Sequence, residues 1–463
     1  MAHPVHLSWL VTHLSPGLTI APRPISPCIV QAMPFTGLHL HPSLLKGIRE
    51  LGFARPTPIQ DDAIPAGMAG RDVLACAQTG TGKTAAFLLP ILHRLIDHPR
   101  RTTRALILTP TRELAAQILE DFNALAVHTP LTGAAVYGGV SMGPQEHAFR
   151  AGVDVMVATP GRLLDHATRA YAKLQGLEYL VLDEADRMLD MGFLPDIKRV
   201  LRHIPTRRQT FFFSATIPPA IATLAAQLLK NPITINLQRQ STPAVGITQA
   251  VYPVSQELKA TLFVELIKRN ILRQALVFTR TKHRANRLAE HVLRSGIRSA
   301  RIHGNRSQSQ RSEALTGFKN GSYRVLVATD IAARGIDVDA LSHVVNFDVP
   351  MAPDDYIHRV GRTGRAEATG EAFTFVAPQE EGDIRAIERA IGKTLPRVTL
   401  PDFDYRGRPA PLEVPLAVRL AEMRARRPRE RARGAKQGRS ARPSSPTARP
   451  PLSRHRSRKT RNR

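Results

Sequence analysis

The sequence is short of cysteine, of acidic residues and of long apolar runs, and each shortage excludes a class of protein. Its 463 residues contain two cysteines, Cys28 and Cys76, and neither belongs to a CxxC or Cys/His pattern. A disulfide framework and a structural zinc site are therefore not predicted. No apolar run approaches the roughly 20 residues that cross a bilayer, so no membrane partner is expected. These features predict a protein of the reducing cytoplasm.

The scarcity of acidic residues leaves a large positive charge. Lys and Arg number 65 against 38 Asp and Glu, which gives a formal net charge of +27. From Arg406 to the end of the chain, 19 basic residues stand against three acidic ones, so +16 of the charge lies there. Such a balance predicts a polyanionic partner, and nucleic acid is the first candidate. A soluble protein with a disordered basic end is the alternative.

Short apolar segments alternate with helix-like segments in two series. The apolar character of these segments is continuous, which is typical of strands buried on both faces of a parallel sheet. The first series is at residues 72–77, 105–110, 154–160, 179–186 and 210–216, and the second at residues 275–281, 299–304, 324–330, 343–350 and 372–378. The sequence thus predicts an α/β protein with two tandem doubly wound parallel sheets, whose functional residues collect at the carboxyl ends of the strands.

Changes in composition mark the predicted domain boundaries. Residues 238–246 are polar and contain Pro and Gly, as in a linker. After about residue 400, Arg, Pro, Ser and Ala dominate, and this composition cannot bury enough surface to fold alone. Residues 1–32 precede a second methionine, so we expect a flexible extension or a mis-assigned start. The predicted domains are residues 33–237 and 247–400, followed by a disordered basic tail at residues 401–463.

Two motifs predict phosphate chemistry at the ends of strands. Residues 77–84, AQTGTGKT, follow a strand and precede an apolar helix. In such a loop, backbone N–H groups can surround phosphate oxygens while Lys83 adds a positive charge and Thr84 offers a hydroxyl to Mg²⁺. Residues 183–186, DEAD, follow another strand, and Asp183 and Glu184 suit the holding of the ion and the orientation of a water. The alternatives are a Gly-rich turn with an exposed lysine and a solvated acidic turn.

Further motifs follow one another along the chain. In order they are GFARPTPIQ (52–60), AQTGTGKT, PTRELAAQ (110–117), GG (138–139), TPGR (159–162), DEAD, SAT (214–216), VFTRTK (277–282), QSQR (308–311), ATDIAARGIDV (328–338) and HRVGRTGR (358–365). With this series the chain resembles the DEAD-box ATP-dependent RNA helicases, and among them the bacterial RhlE-type subgroup. The resemblance implies two RecA-like domains, ATP and Mg²⁺ as cofactors, and RNA-stimulated hydrolysis of ATP.

The resemblance also implies which residues meet the nucleotide. A side-chain amide can both donate to and accept from the adenine edge, which would favour ATP over GTP. The implied contacts are Phe35 and Phe53 around the base, Gln60 at its edge, Ala77, Gln78, Thr79, Gly80, Thr81, Gly82, Lys83 and Thr84 at the phosphates, and Asp337 at the ribose. The implied catalytic residues are Lys83, Asp183 and Glu184 on the first domain and Arg362 and Arg365 on the second, with Thr84 and Asp183 holding Mg²⁺, partly through water.

Small, hydroxyl-bearing and basic residues are implied to contact RNA. Such side chains suit phosphates and 2′-hydroxyls, which position a strand without reading its bases. They are Pro110, Thr111, Arg112, Gly139, Thr159, Gly161 and Arg162 on the first domain and Thr281, Gln308, Arg311 and Thr329 on the second. Asp186, Ser214, Thr216, His358 and Arg359 are implied to couple the ATP and RNA sites, so that closure on ATP bends a single strand and opens a short duplex.

Two other functions fit nearly the same motifs. One is an ATP-gated RNA clamp or scaffold with little unwinding, and the other is a DNA translocase on the same fold. We expect a monomer that works on RNA, with ribosomal RNA and the RNA-decay machinery both open as partners. The basic tail is predicted to tether RNA, while a solvated appendage or a protein-docking segment is the alternative.

Overall fold

The computed structural model describes residues 34–77, 80–98, 101–236, 246–333, 341–364 and 369–407. The chain divides into two compact units between residues 239 and 240, within the predicted linker. The predicted extension at residues 1–32, nearly all of the linker and most of the predicted tail lie outside the described residues.

The described strands of the first unit form one parallel sheet of seven strands. Its order is β3-β4-β2-β5-β6-β1-β7, and each neighbouring pair runs in the same direction. The strands are β1 (Val73–Cys76), β2 (Ala105–Leu108), β3 (Gly133–Val136), β4 (Val155–Ala158), β5 (Tyr179–Leu182), β6 (Gln209–Ser214) and β7 (Ile233–Asn236).

Helices follow most of these strands and cover both faces of the sheet. Proline in the first turn starts several of them, because its fixed φ suits a helix and its missing N–H is not needed there. The helices are α1 (Pro42–Glu50), α2 (Pro58–Met68), α3 (Lys83–Leu95), α4 (Arg112–Leu125), α5 (Met142–Ala151), α6 (Pro160–Ala167), α7 (Ala185–Asp190), α8 (Leu194–Leu201) and α9 (Pro219–Leu228).

The second unit repeats this architecture with a parallel sheet of six described strands in the order β10-β11-β9-β12-β13-β8. The strands are β8 (Ile247–Pro253), β9 (Ala275–Phe278), β10 (Ser299–Ile302), β11 (Val325–Ala328), β12 (His343–Asn346) and β13 (Gly370–Val376). The helices are α10 (Lys259–Lys268), α11 (Lys282–Arg294), α12 (Gln308–Lys319), α13 (Asp330–Ala333), α14 (Pro353–Val360) and α15 (Glu381–Ile391). No helix in the described ranges is long and apolar enough to cross a membrane.

Alternate residues of the central strands enter different apolar clusters, which confirms a sheet buried on both faces. In β2, Ile107 packs into one cluster and Leu106 and Leu108 into another, and all three are fully buried. In β9, Val277 and Leu276 divide in the same way between two clusters of the second unit. Both faces need apolar side chains in such a strand, so the apolar run is continuous.

Strands β3, β7 and β8 are not predicted by the apolar pattern of the sequence. Strands β3 and β7 form the two edges of the first sheet and have partly exposed residues, while β8 forms one edge of the second. An edge strand is covered less completely than a central one, so its apolar run is weaker. The continuous apolar runs therefore predicted the central strands of each sheet but missed the edge strands β3, β7 and β8.

The second unit extends past the predicted boundary at residue 400. Phe403 and Tyr405 pack against its core, with their ring centroids 4.9 Å apart. Leu400 N donates a hydrogen bond to Tyr405 Oη (2.7 Å). The sequence prediction ended the domain too early because two aromatic residues in a polar segment do not make a periodic pattern.

A buried ion pair fixes the second unit near the end of β12. Lys259 is fully buried, and its Nζ donates hydrogen bonds to Glu380 Oε2 (2.5 Å) and to Phe347 O (2.9 Å). Burial lowers the pKa of the Lys259 ammonium, and the charge of Glu380 opposes this shift. Removing one partner of such a pair leaves an uncompensated charge in the core.

We therefore expect Glu380→Ala to lower the free energy of unfolding by about 3–5 kcal/mol, measured by urea unfolding of the full chain. The matched control is Glu265→Ala, whose ion-pair partners Lys268 and Arg269 are partly exposed. That change should cost less than about 1 kcal/mol. Equal and small losses for both variants would contradict the structural role of the buried pair.

Candidate nucleotide and RNA sites

The loop at residues 77–84, called the P-loop from here on, connects β1 to α3. Gly80 and Gly82 have φ values of 85° and 89°, in the left-handed region that favours glycine. A Cβ added at Gly82 would lie 2.5 Å from Gln60 Nε2. The backbone therefore needs glycine here both for its conformation and for its close approach to α2. Gln78 and Thr79 lie outside the described residues.

The start of α2 holds the P-loop in place. Thr57 Oγ1 donates a hydrogen bond to Thr81 O (2.8 Å), and Gln60 Nε2 donates one to Gly82 O (3.0 Å). Gln60 Oε1 accepts a hydrogen bond from Thr57 N (3.0 Å), which caps the helix. The predicted adenine contact of Gln60 stays a prediction. Thr57 was missed, although a threonine three residues before a glutamine is a recognisable capping signal.

Opposite charges meet where the P-loop and the end of β5 come together. Lys83 Nζ lies 3.8 Å from Asp183 Oδ1, and both side chains are buried. Among the described residues Lys83 Nζ has no hydrogen-bond partner, and neither has Glu184 Oε2, which lies 3.7 Å from Arg187 Nε. Buried polar atoms without partners are rare and point to a ligand that would complete them.

Glu184 has a backbone conformation that is uncommon for its residue type. Its φ of 53° lies in the left-handed region, and its N–H donates a hydrogen bond to Asp183 Oδ1 (3.0 Å). This strained turn separates the end of β5 from α7, and such strain is concentrated at functional sites. The structure thus brings together the P-loop lysine and the two carboxylates that were predicted to act with it.

The site fits a magnesium ion that is held mainly by a nucleotide. Burial, with help from the charge of Glu184, raises the pKa of Asp183 to about 6, although Lys83 opposes the shift. A cation beside this carboxylate would relieve the cost of ionising it. Within the described ranges, no three His, Cys, Asp or Glu side chains are grouped to hold a metal alone. Mg²⁺ commonly uses one or two protein oxygens together with phosphates, and Thr84 and Asp183 suit this role.

Asp186, one of the predicted coupling residues, connects the end of β5 to the segment after β6, while its coupling of the ATP and RNA sites stays a prediction. Its Oδ2 accepts hydrogen bonds from Thr216 N (2.9 Å) and Thr216 Oγ1 (3.0 Å). Ser214 Oγ accepts from Asp186 N (3.2 Å) and donates to Thr216 O (2.7 Å). A displacement of one segment therefore requires a displacement of the other, or the loss of charge-assisted hydrogen bonds.

The two predicted base-stacking phenylalanines lie together. Their ring centroids are 6.3 Å apart and the rings are inclined by 27°, which is a stacked arrangement. Phe35 is buried in the core of the first unit, whereas Phe53 is 40% exposed. Phe53 therefore presents the accessible aromatic surface, and Phe35 supports it from behind.

The predicted RNA contacts of the first unit lie in loops after the adjacent strands β3, β4 and β2. Thr111 caps α4, where its Oγ1 accepts a hydrogen bond from Leu114 N (3.3 Å). The Arg112 guanidinium packs so closely on Gly139 that a Cβ there would lie 2.0 Å from Arg112 Nη1. The remaining predicted contacts are Pro110 and Thr159 in these loops and Gly161 and Arg162 in the first turn of α6. The sheet thus collects all seven residues at one edge.

The second unit arranges its predicted RNA contacts in the same way. Thr281, Gln308 and Thr329 follow the adjacent strands β9, β10 and β11, and Arg311 lies one turn into α12. Thr281 caps α11, where its Oγ1 accepts a hydrogen bond from Arg284 N (3.2 Å), as Thr111 does for α4. Each sheet therefore brings its own set together by the same topology.

Arg359 has a role inside the second unit that the sequence did not reveal. Its Nε and Nη2 donate to the two carboxylate oxygens of Asp330 (2.6 and 2.8 Å). Its Nη1 donates to Asn346 Oδ1 (3.1 Å) and Asp348 O (2.7 Å). These contacts join the ends of β11 and β12 to α14. The predicted coupling of Arg359 and His358 to Asp186 stays a prediction.

The predicted catalytic arginines are placed only in part. Arg362 lies just after α14 and is buried, with 5% of its surface exposed. Arg365 and Asp337 lie outside the described residues, so their roles stay predictions.

The raised pKa of Asp183 predicts that Asp183→Asn stabilises the nucleotide-free chain. An acidic side chain whose pKa is higher in the folded state than in the unfolded state lowers the free energy of unfolding. The full effect is present above the folded-state pKa, and the effect is absent below the unfolded-state pKa. Above about pH 6 the gain should be on the order of 3 kcal/mol, and it should vanish as the pH falls towards 4. Thermal and urea unfolding across pH measure it. The control is Asp154→Asn, which breaks a buried ion pair with Arg104 and should destabilise.

Comparison with known proteins agrees with this geometry. The sequence model of the DEAD/DEAH box helicases matches residues 57–224, and that of the helicase conserved C-terminal domain matches residues 258–367. The chain is 42% identical over 374 residues to the ATP-dependent RNA helicase DeaD of Mycobacterium tuberculosis, covering 81% of this chain and 66% of that protein. It is 40% identical over 370 residues to CshA of Listeria monocytogenes, covering 80% and 71%. The chain therefore spans only about two thirds of these relatives.

Solved structures give the same result. S. cerevisiae Dbp5 bound to RNA and ADP BeF3 is 34% identical, with a TM-score of 0.74 over 81% of this chain and 97% of that one. Mss116p bound to ssRNA and AMP-PNP is 27% identical, with a TM-score of 0.73 over 80% of each chain. These matches do not single out the RhlE-type subgroup, which stays a prediction. The chain belongs to the family of DEAD-box ATP-dependent RNA helicases.

Proposed function

We propose that this chain hydrolyses ATP when RNA is bound and uses the cycle to open short RNA duplexes. One observation carries the proposal: Lys83 Nζ and Glu184 Oε2 are buried beside Asp183 without hydrogen-bond partners among the described residues. A nucleotide phosphate would satisfy the lysine, and an attacking water would satisfy the glutamate. The relatives are named as ATP-dependent RNA helicases, which supports the same reaction.

Different residues of the first unit have different proposed roles at the nucleotide. Lys83 attracts the phosphate oxygens, and P-loop N–H groups bind them. Bound Mg²⁺ would supply charge neutralisation, and Thr84 and Asp183 are the residues that would hold it. Glu184 would accept a proton from water and orient that water for attack on the terminal phosphate. Gln60 and Phe53 would select and stack the adenine.

Hydrolysis is proposed to depend on arginines from the second unit. Arg362 and Arg365 would donate to the phosphoryl group as its charge develops, and Asp337 would contact the ribose. Because these arginines come from a separate domain, hydrolysis would require that this domain be brought to the nucleotide. RNA that engages both units at once would thereby switch on hydrolysis.

RNA is proposed to be held without sequence selection. The hydroxyl and guanidinium groups at the edges of both sheets suit phosphate and 2′-hydroxyl oxygens. Ribosomal RNA and decay substrates are both compatible with such a surface. We propose a monomer that acts in the cytoplasm.

The first test of this function is Glu184→Gln. The amide keeps the size of the side chain and one acceptor oxygen but cannot take up a proton, so ATP and RNA binding should persist. The turnover number should fall by at least about a hundredfold, measured as phosphate release with saturating RNA. Hydrolysis near the wild-type rate would show that another group orients the water.

Two comparisons with the wild-type chain separate the competing functions. Unwinding of a short RNA duplex with ATP supports a helicase, whereas tight ATP-dependent binding without strand separation would identify a clamp. Stimulation of hydrolysis by single-stranded DNA as strong as by RNA would favour the translocase. Absence of stimulation by both RNA and single-stranded DNA in the wild-type chain would reject all three.

The residues beyond the described second unit are proposed to tether RNA by charge alone. Truncation after Gly407 removes nearly all of the +16 charge that begins at Arg406. RNA affinity should fall, and the slope of log K against log salt should become shallower by about 0.7 for each phosphate that is no longer neutralised. ATP hydrolysis at saturating RNA should be unchanged, because the truncation leaves both units whole.

Fluorescence anisotropy with labelled single-stranded RNA across a salt series measures both quantities. The control is addition of the missing peptide in trans, which should not restore affinity, because a tether acts only when covalently attached. An unchanged affinity and slope would reject the tether, and a lower turnover number at saturating RNA would show that the segment belongs to the motor.

A further inference from the structure

An open cavity lies on the first unit next to the predicted RNA-binding residues. Its volume is about 700 Å³, and helices α6 and α8 form its walls. Gly161, one of the predicted RNA contacts, is part of its lining. None of the motifs in the sequence accounts for the rest of the lining, so the cavity requires its own explanation.

The rim of the cavity is basic. Arg169 follows α6, while Arg199, Arg202 and His203 come from the end of α8, and all four side chains are exposed. Asp165 is the acidic residue of the lining. Such an excess of guanidinium groups around a concave surface attracts anions and suits the oxygens of phosphate.

The ion pair between Arg199 and Asp196 does not prevent this. The Nη2–Oδ1 distance is 2.5 Å, but 61% of the arginine side chain is exposed. Exposed pairs of this kind are worth at most about 1 kcal/mol, so a phosphate can compete for the guanidinium.

The floor of the cavity is apolar. Leu164 is buried with 8% of its surface exposed, and Met142 at the start of α5 is partly buried beside it. A methionine and a leucine offer a surface for the face of a planar ring, and the volume lies in the range of ligand pockets, about 300–1000 Å³. An apolar floor below a basic rim matches the two parts of a nucleotide, its base and its phosphate.

The guanidinium of Arg162 is bound to other groups of the first unit. Its Nη2 donates a hydrogen bond to Val140 O (2.9 Å), and its Nη1 contacts Met142 Sδ. The guanidinium thus fixes the segment that carries the floor of the cavity. A phosphate beside Gly161 would need other cations, and Arg199 and Arg202 on the rim can supply them.

We propose that this cavity binds one nucleotide of the RNA strand next to the segment at Gly161, with the base on Leu164 and Met142 and the phosphate at Arg199 and Arg202. The inference rests on the proposed RNA-binding function and deepens it. The first unit then holds a longer strand than the motifs predict, and it holds the added nucleotide by stacking and charge, without reading its base.

The test is the full chain with Arg199→Gln and Arg202→Gln together. Binding of labelled oligouridylates is measured across a salt series. For a long oligomer, the slope of log K against log salt should fall by about 1.4, or 0.7 for each arginine replaced, and Kd should rise at least about threefold. An oligomer too short to reach the cavity should bind as it does to the wild type. The turnover number of ATP hydrolysis at saturating RNA should not change, because neither side chain contacts the nucleotide site.

The matched control removes the same charge elsewhere. Arg294→Gln with Arg385→Gln changes two side chains of the second unit that are 80% and 71% exposed. If this pair weakens binding of the long oligomer equally, only net charge matters and the proposal is overturned. RNA binding like that of the wild type in the Arg199 and Arg202 variant would also overturn it.

Failure of the proposed function gives a different result. If RNA does not stimulate ATP hydrolysis by the wild-type chain, the proposed function and this inference fall together. If stimulation is normal and the rim variant behaves like the control variant, only the cavity is wrongly assigned. Crosslinking of 4-thiouridine RNA to the peptide that carries Leu164 in the wild type, and its loss in the rim variant, would support the proposal independently.

Discussion

Burial of opposite charges at the carboxyl end of a parallel sheet is the constraint on which the first unit depends. Lys83 and Asp183 stand 3.8 Å apart in an environment that excludes water, and ionisation of the aspartate costs enough there to raise its pKa to about 6. A core built only for stability would use apolar side chains instead. The fold keeps both charges because a nucleotide with its metal ion would complete them.

The surrounding hydrogen bonds hold this arrangement in place. Thr57 and Gln60 hold the P-loop from one side, while Asp186 ties β5 to the segment after β6 from the other. Other buried charges are hydrogen-bonded to an oppositely charged partner, as Arg104 is to Asp154 in the first unit and Lys259 is to Glu380 in the second. Unsatisfied charge thus marks a site for a ligand, whereas satisfied charge fixes the shape of the domain that presents the second set of residues.

The sequence predicted the centre of each sheet and the residues at the strand ends, because continuous apolar runs followed by polar residues have few structural explanations. It did not predict the edge strands β3 and β7, whose exposure weakens the pattern. It also missed Asp330 as the partner of Arg359, since 29 residues separate the two and no local signal connects them. The cavity between α6 and α8 was not predicted either, because its residues come from three separate helices, α5, α6 and α8.

Thr111 and Thr281 each begin a helix, and in each the hydroxyl oxygen already accepts a backbone hydrogen bond. That bond occupies the oxygen and leaves the hydroxyl hydrogen to donate, so in the proposed RNA site these side chains would act mainly as donors. A surface of donors binds the acceptor oxygens that every nucleotide carries in the same place, and so it cannot distinguish one base from another. If RNA is bound as proposed, indifference to sequence would follow from the way these helices start, and a substitution that introduced base selectivity here would weaken the helix at its first turn.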